Sequence, residues 1–271
     1  MDNRPIGVFD SGLGGLTAVK QLRRLLPEED IIYFGDTSRL PYGTRSEETI
    51  RRYAVSDMNF LLSHNIKRII VACGTVSAVA LELLRARYRI PIQGVIDAAV
   101  PAAVKATRNQ KIGVIGTAAS IRSGAYAKLL AASAPQVETV GVACPLLVPL
   151  VENGRWDAGD IVVRTVLSEY LKKILDFGAD TLILGCTHYP LLADAVQTLT
   201  ENRLVLIDPG AEAAKCLAER QREEGTQAEP GRRGELRLYV SDTDDGFSER
   251  ARSFLEMDVD GLCEQIDIER Y

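Results

Sequence analysis

The chain has 271 residues, 46% of them hydrophobic and 25% charged, enough to bury a sizeable core in one large or two modest domains. A net charge of -5 and a pI near 5.3 leave no overall electrostatic footprint for nucleic acid or for an anionic membrane, so neither is expected as a partner.

No run approaches the roughly 18 uninterrupted apolar residues of a spanning helix. The opening segment MDNRPIGVFD has no basic region leading into an apolar one, and a cytoplasmic location is the expectation. Five cysteines, at 73, 144, 186, 216 and 263, form no C-x-x-C, and His64 and His188 are the only histidines. That pattern argues against a disulfide framework and against a metal site.

Taken in chain order, PIGVFD predicts a strand ending at Asp10, and DIIYFGD a second ending at Asp36. A helix is expected over Glu47 to Leu62, then the strand KRIIVAC delivering Cys73, then IPIQGV. KIGVIGT, a helix from Ser123 to Ala132, VETVGVA and a helix from Ala158 to Phe177 follow. DTLILGC delivers Cys186, and RLVLID precedes a helix from Ala211 to Glu224. EEGTQAEPGRRGE, residues 223–235, is linker-like by composition, yet LRLYVS and a further helical segment come after it. Continuous strands rich in Ile, Val and Leu suit parallel sheets covered on both faces. Their alternation with helices makes the fold class α/β.

Two internal correspondences divide the chain. IGVFDSG at Ile6 matches IGVIGTA at Ile112, and the strand end at Cys73 matches the strand end at Cys186. Two related α/β lobes are therefore expected, residues 1–97 with 208–271 and residues 98–207, the tail folding back onto the first. Ligands of open parallel sheets bind beyond the carboxyl ends of the strands, and both cysteines sit at such ends.

A thiol is chemically useful as thiolate, which a helix N-terminus or a nearby cation favours. Thr75 or Ser77 is expected to cap the helix after Cys73, and Pro190 suits the first turn after Cys186. A free cysteine is often just a small buried side chain, the reading given to Cys144, Cys216 and Cys263. Two cysteines matched in context, each followed by a hydroxyl residue (Thr75, Thr187), point instead to paired chemistry. Thiols on opposite sides of one carbon, one ionised and one protonated, can take a proton from one face and return one to the other, inverting the centre without a cofactor.

Asp10, Asp36 and His188, at successive strand ends, are candidates to hold or shuttle protons; Glu152 in PLVENG is a further candidate. Gly12, Gly14 and Gly15 of SGLGG do not complete G-x-G-x-x-G, because Thr17 occupies the third position. Instead, this loop, Pro41-Tyr42-Gly43, and the hydroxyls of Ser11, Thr75, Thr117, Ser120 and Thr187 suit a small ligand's carboxylate.

FDSGLGGL, YFGDTSRLPYG, VACGTVSA, IGVIGT, PLVENG and LGCTHYPLL, in this order over residues 9–192, resemble the glutamate racemases of the aspartate/glutamate racemase superfamily. The resemblance implies two pseudosymmetric lobes with the active site between them. It implies a cofactor-independent interconversion of L- and D-glutamate supplying peptidoglycan synthesis, and a homodimer. By it, Cys73 and Cys186 match the catalytic pair, Asp10 and His188 their assistants, and Asp36 and Glu152 further polar partners. Ser11, Pro41, Tyr42, Gly43, Thr75 and Thr187 match substrate contacts. Ser120 stands where the family often has Thr. Gly74 stands where it usually has Asn, so a side chain that normally touches the amino acid is missing; aspartate stays open as the alternative substrate.

Overall fold

The computed structural model describes residues 1–244 and 246–271. Among the described residues ten strands are formed, in chain order β1 (Ile6–Asp10), β2 (Ile31–Gly35), β3 (Arg68–Val71), β4 (Ile92–Gly94), β5 (Lys111–Gly116), β6 (Glu138–Ala143), β7 (Thr181–Gly185), β8 (Val205–Ile207), β9 (Leu236–Val240) and β10 (Cys263–Gln265). They build two sheets, ordered β10-β9-β2-β1-β3-β4 and β6-β5-β7-β8, with every pairing parallel. Helices flank both, so the molecule is an α/β protein with two parallel sheets.

The internal correspondence has a topological meaning. The order β2-β1-β3-β4 repeats as β6-β5-β7-β8, and β9 with β10 extends the first sheet. The matched strands β1 and β5 are interior in their sheets, each beside a strand that runs into a cysteine. Three buried aliphatic or aromatic side chains anchor each of them, Ile6, Val8 and Phe9 in β1 and Ile112, Val114 and Ile115 in β5. Each stabilises by roughly 1.5–3 kcal/mol. The segment after residue 225 returns to the first sheet, where Leu236–Val240 pairs with Ile31–Gly35.

Several local expectations are corrected. The helix expected from Ser123 is two shorter ones, Ala118–Ser123 and Ala125–Ser133, joined at Gly124 with φ 67, a left-handed conformation that glycine adopts without a Cβ penalty. The helix expected from Ala158 begins at Ile161, because Asp160 accepts from the amides of Val162 and Val163. Strand β6 is an edge, half-exposed along its length, so its apolar run does not signify cover on both faces. Neither Thr75 nor Ser77 caps the helix Gly74–Val79. Cys73 holds the cap position without a side-chain bond, while Ser77 Oγ donates to the Val71 carbonyl at 3.0 Å and accepts from the Val95 amide at 3.3 Å. Pro190 does begin a turn, a 3-10 turn over Tyr189–Leu192. Among the described residues no helix is long and apolar enough to cross a membrane.

Candidate active site

The carboxyl ends of the two sheets face one another, and between them lies a cavity of about 240 Å³. Both cysteines line it, Cys73 two residues beyond β3 and Cys186 immediately beyond β7, with Ser11, Pro41, Tyr42, Gly43, Gly74, Thr75, Thr117, Glu152, Thr187 and His188. Each lobe therefore contributes at least one thiol to a shared space. Among the described residues His188 is the only cation-capable side chain on the lining, and no Lys or Arg is present there.

The two thiols have different surroundings. Cys73 is buried and donates to Ser11 Oγ at 3.6 Å. Burial, with the negative charge of Asp10 nearby, pushes its pKa up to about 12, so near neutrality it is a thiol. Cys186 lies 3.7 Å from Nδ1 of His188, whose Nε2 lies 3.1 Å from the Glu152 carboxylate. Burial pulls the imidazole's pKa down, but its contacts with Cys186 and Glu152 prevail and raise it to about 10. The edge of Phe254, with ring centroids 5.5 Å apart, seats the buried ring. A positive imidazolium beside the sulfur stabilises negative charge on it.

Asp10 is completely buried under the cavity floor rather than on its lining. Its Oδ2 accepts from the amides of Gly12 and Gly15 at 3.1 and 3.0 Å, and Oδ1 accepts from Thr187 Oγ1 of the other lobe at 3.5 Å. Burial raises its pKa, opposed by the charge of His188 and these amides. Asp36 is also off the lining. It accepts from Ser241 Oγ at 2.8 Å and from the Tyr42 hydroxyl, and pairs with Arg39 at 2.8 Å. Ser120 stands one layer back, its hydroxyl 2.9 Å from Thr117 Oγ1, which lies 2.9 Å from Thr75 Oγ1. These hydroxyls connect the lobes.

Gly74 has a steric reason. A Cβ there would lie 2.6 Å from the Gly185 carbonyl oxygen, so the backbones beside the two thiols meet where a side chain would stand. Gly14 is similarly closed off by Thr187 and His188 of the opposite lobe.

Sequence reasoning missed Cys144. It follows β6 directly, lines the cavity and is buried; burial raises its pKa to about 12. Its place just past an apolar strand was the available signal. Leu40, Thr44, Pro145, Val148 and Pro149 complete much of the apolar wall.

A two-lobed α/β fold that places one thiol from each lobe on a common cavity, one of them backed by an imidazole and a carboxylate, defines a class of proteins equipped for proton transfer at two faces of a small molecule. Residues 14–217 match the family model described as Asp/Glu/Hydantoin racemase. The chain is 44% identical over 252 residues to a glutamate racemase of Geobacter metallireducens, covering 93% of each chain. It also matches a crystal structure of Francisella tularensis glutamate racemase in complex with D-glutamate, with a TM-score of 0.92 and 39% identity over 100% of both chains. A Bacillus anthracis glutamate racemase structure gives 0.93 and 34% over 98% of each. The chain belongs to the Asp/Glu/Hydantoin racemase family.

Proposed function

We propose that this protein is a glutamate racemase that inverts the α-carbon with two thiols and no cofactor. The observation that carries the reading is the placement of Cys73 and Cys186, from different lobes, on one small cavity. Relatives named glutamate racemase over nearly the whole chain support the choice of substrate.

The thiols' unequal surroundings suit the two roles. With glutamate bound, Cys186 as thiolate takes the α-proton; its C–H electron pair stays on carbon as a carbanion-like centre. The Cys73 thiol then delivers its proton to the opposite face, leaving Cys73 as thiolate and Cys186 as thiol. The reverse direction runs the same steps backward, and solvent proton exchange restores the starting form. Hydroxyls of Ser11, Thr75, Thr117 and Thr187, with backbone amides of the glycine-rich loops, hold the carboxylates and stabilise charge developing in the transition state. Few cations on the lining leave product release unhindered. Asp10 acts from below, bracing the Ser11 loop and Thr187, and Glu152 acts through His188.

The lobes, 1–97 with 208–271 and 98–207, are read as the two walls of the cleft, and the working form as a homodimer in the cytoplasm supplying D-glutamate for peptidoglycan. Circular dichroism on purified protein with L-glutamate, D-glutamate and L-aspartate, without added cofactor, tests the activity. Inversion of glutamate in both directions is expected. Inversion of aspartate alone, or no inversion, overturns the substrate or the activity.

A further inference from the structure

Beneath the cavity wall supplied by Leu40 to Thr44 lies a buried polar cluster that the proposed reaction does not use. Asp57, on the helix Glu47–Leu62, is completely buried. Its Oδ2 is 3.2 Å from the Tyr42 hydroxyl oxygen, and its Oδ1 has no hydrogen-bond partner among the described residues. Arg39 approaches that oxygen only to 3.8 Å.

Counting protons decides what Asp57 is. Tyr42 has one hydroxyl proton, and it goes to Asp36, the closer carboxylate. Asp36 also accepts from Ser241 and faces Arg39 Nε at 2.8 Å, an arrangement of donors that suits a carboxylate. The contact between Asp57 and Tyr42 is then oxygen to oxygen with no proton left to fill it, unless Asp57 supplies one. An ionised Asp57 would add a second negative charge beside Asp36 with one shared cation, and would leave a buried carboxylate oxygen unbonded.

We propose that Asp57 is a positioning residue, a neutral carboxylic acid that donates its proton to the Tyr42 hydroxyl and thereby fixes the segment 36–45 that forms one wall of the substrate cavity. The chain of donors runs from Asp57 to Tyr42 to Asp36, and Ser241 and Arg39 close its far end. Burial first, and then the charge of Asp36, raise the Asp57 pKa well above the usual carboxylate range, outweighing the opposing charge of Arg39 and the contact with the Tyr42 hydroxyl. The groups facing the cluster are Asp36, Arg39 and Tyr42 from the segment itself, and Tyr53 of the same helix, whose ring packs at a tilt against that of Tyr42 and lies under Arg39. Glu269 lies 4.0 Å from Arg39, and Asp10 adds charge from β1.

The role rests on the glutamate reading only for its kinetic arm. Asp57→Asn keeps a donor toward Tyr42 and cannot ionise; Asp57→Leu removes the donor. Infrared difference spectra of the whole protein should contain a buried protonated-carboxyl band at neutral pH that Asp57→Asn lacks. Its absence from the wild type overturns the proposal whatever the activity. In kinetics, Asp57→Leu should raise KM for glutamate roughly two- to tenfold with little change in kcat, and Asp57→Asn should restore KM. On going alkaline, wild-type KM should rise relative to that of Asp57→Asn as Asp57 loses its proton. Should Asp57→Leu not fold, the Asn comparison and the infrared band still decide. A KM ratio of wild type to Asp57→Asn that is flat with pH, or an Asp57→Leu KM equal to wild type, overturns it.

Discussion

A Cβ on Gly74 would lie 2.6 Å from the carbonyl oxygen of Gly185, so the residue after one thiol and the residue before the other touch backbone to backbone across the cleft. Neither atom belongs to a flexible side chain, and relief must come from moving a lobe. Gly74→Ala should therefore cost about 1–3 kcal/mol of stability and lower kcat as the two sulfurs move apart. Thermal unfolding and steady-state inversion rates check this together. A variant with unchanged Tm and kcat would mean that the lobes open without cost.

The thiols should be separable by isotope. Cys73→Ser and Cys186→Ser should each lose net inversion by about 10²–10⁴-fold. In D2O, residual α-proton exchange in each variant should favour one enantiomer, the opposite one in the two cases, because one face alone keeps its thiol. Proton NMR of the α-position reports it. Equal exchange from both enantiomers in either variant would contradict a division of faces.

His188 has a pKa raised to about 10 and Cys73 one raised to about 12, so kcat/KM should fall as pH passes about 10, where the imidazolium beside Cys186 discharges. L- and D-glutamate are equally stable, so kcat/KM must be the same in both directions at every pH, and the unequal pair shows only in kcat and KM taken separately. Circular dichroism rates from pH 6 to 11 in both directions check this. A kcat/KM that keeps level or rises past pH 10 would refute a charged imidazole in the reaction.

Much of this arrangement is legible in the chain and some is not, for physical reasons. Apolar runs ending in Asp10, Cys73 and Cys186 disclose strand ends because parallel strands buried on both faces leave no polar alternation. β10, with the sequence CEQ, lacks that signal and is a strand only because Leu238 to Val240 offer it an edge. Cys144 occupies the same strand-end position as the other two, but proline and leucine follow it instead of hydroxyl residues, and it read as packing. Asp36, read as a proton carrier, is turned away from the cavity by Tyr42, Arg39 and Ser241. Asp57 is invisible in sequence because its helix gives no sign that the loop just before it, residues 36–45, will fold back over it. Gly74 read as a lost contact, whereas what occupies the space is the Gly185 backbone of the other lobe.

The contact between Glu152 and His188 gives the last test. Glu152 Oε1 is 3.1 Å from His188 Nε2, and the carboxylate is one of the two groups that hold the imidazole charged. Glu152→Gln keeps a hydrogen-bond acceptor and removes the charge. The imidazolium then loses support on one side, and its pKa should drop from about 10 toward its ordinary value. Contacts to charged groups are worth about 1.5–3 kcal/mol, so a loss of roughly tenfold to a hundredfold in kcat/KM is expected. The loss is the same in both directions, because the two enantiomers are equally stable. The falling alkaline limb should also move to lower pH, which a general loss of folding would not produce. The same circular dichroism series, run on Glu152→Gln beside the wild type, reads both effects. An unmoved limb would place Glu152 outside the proton-transfer machinery.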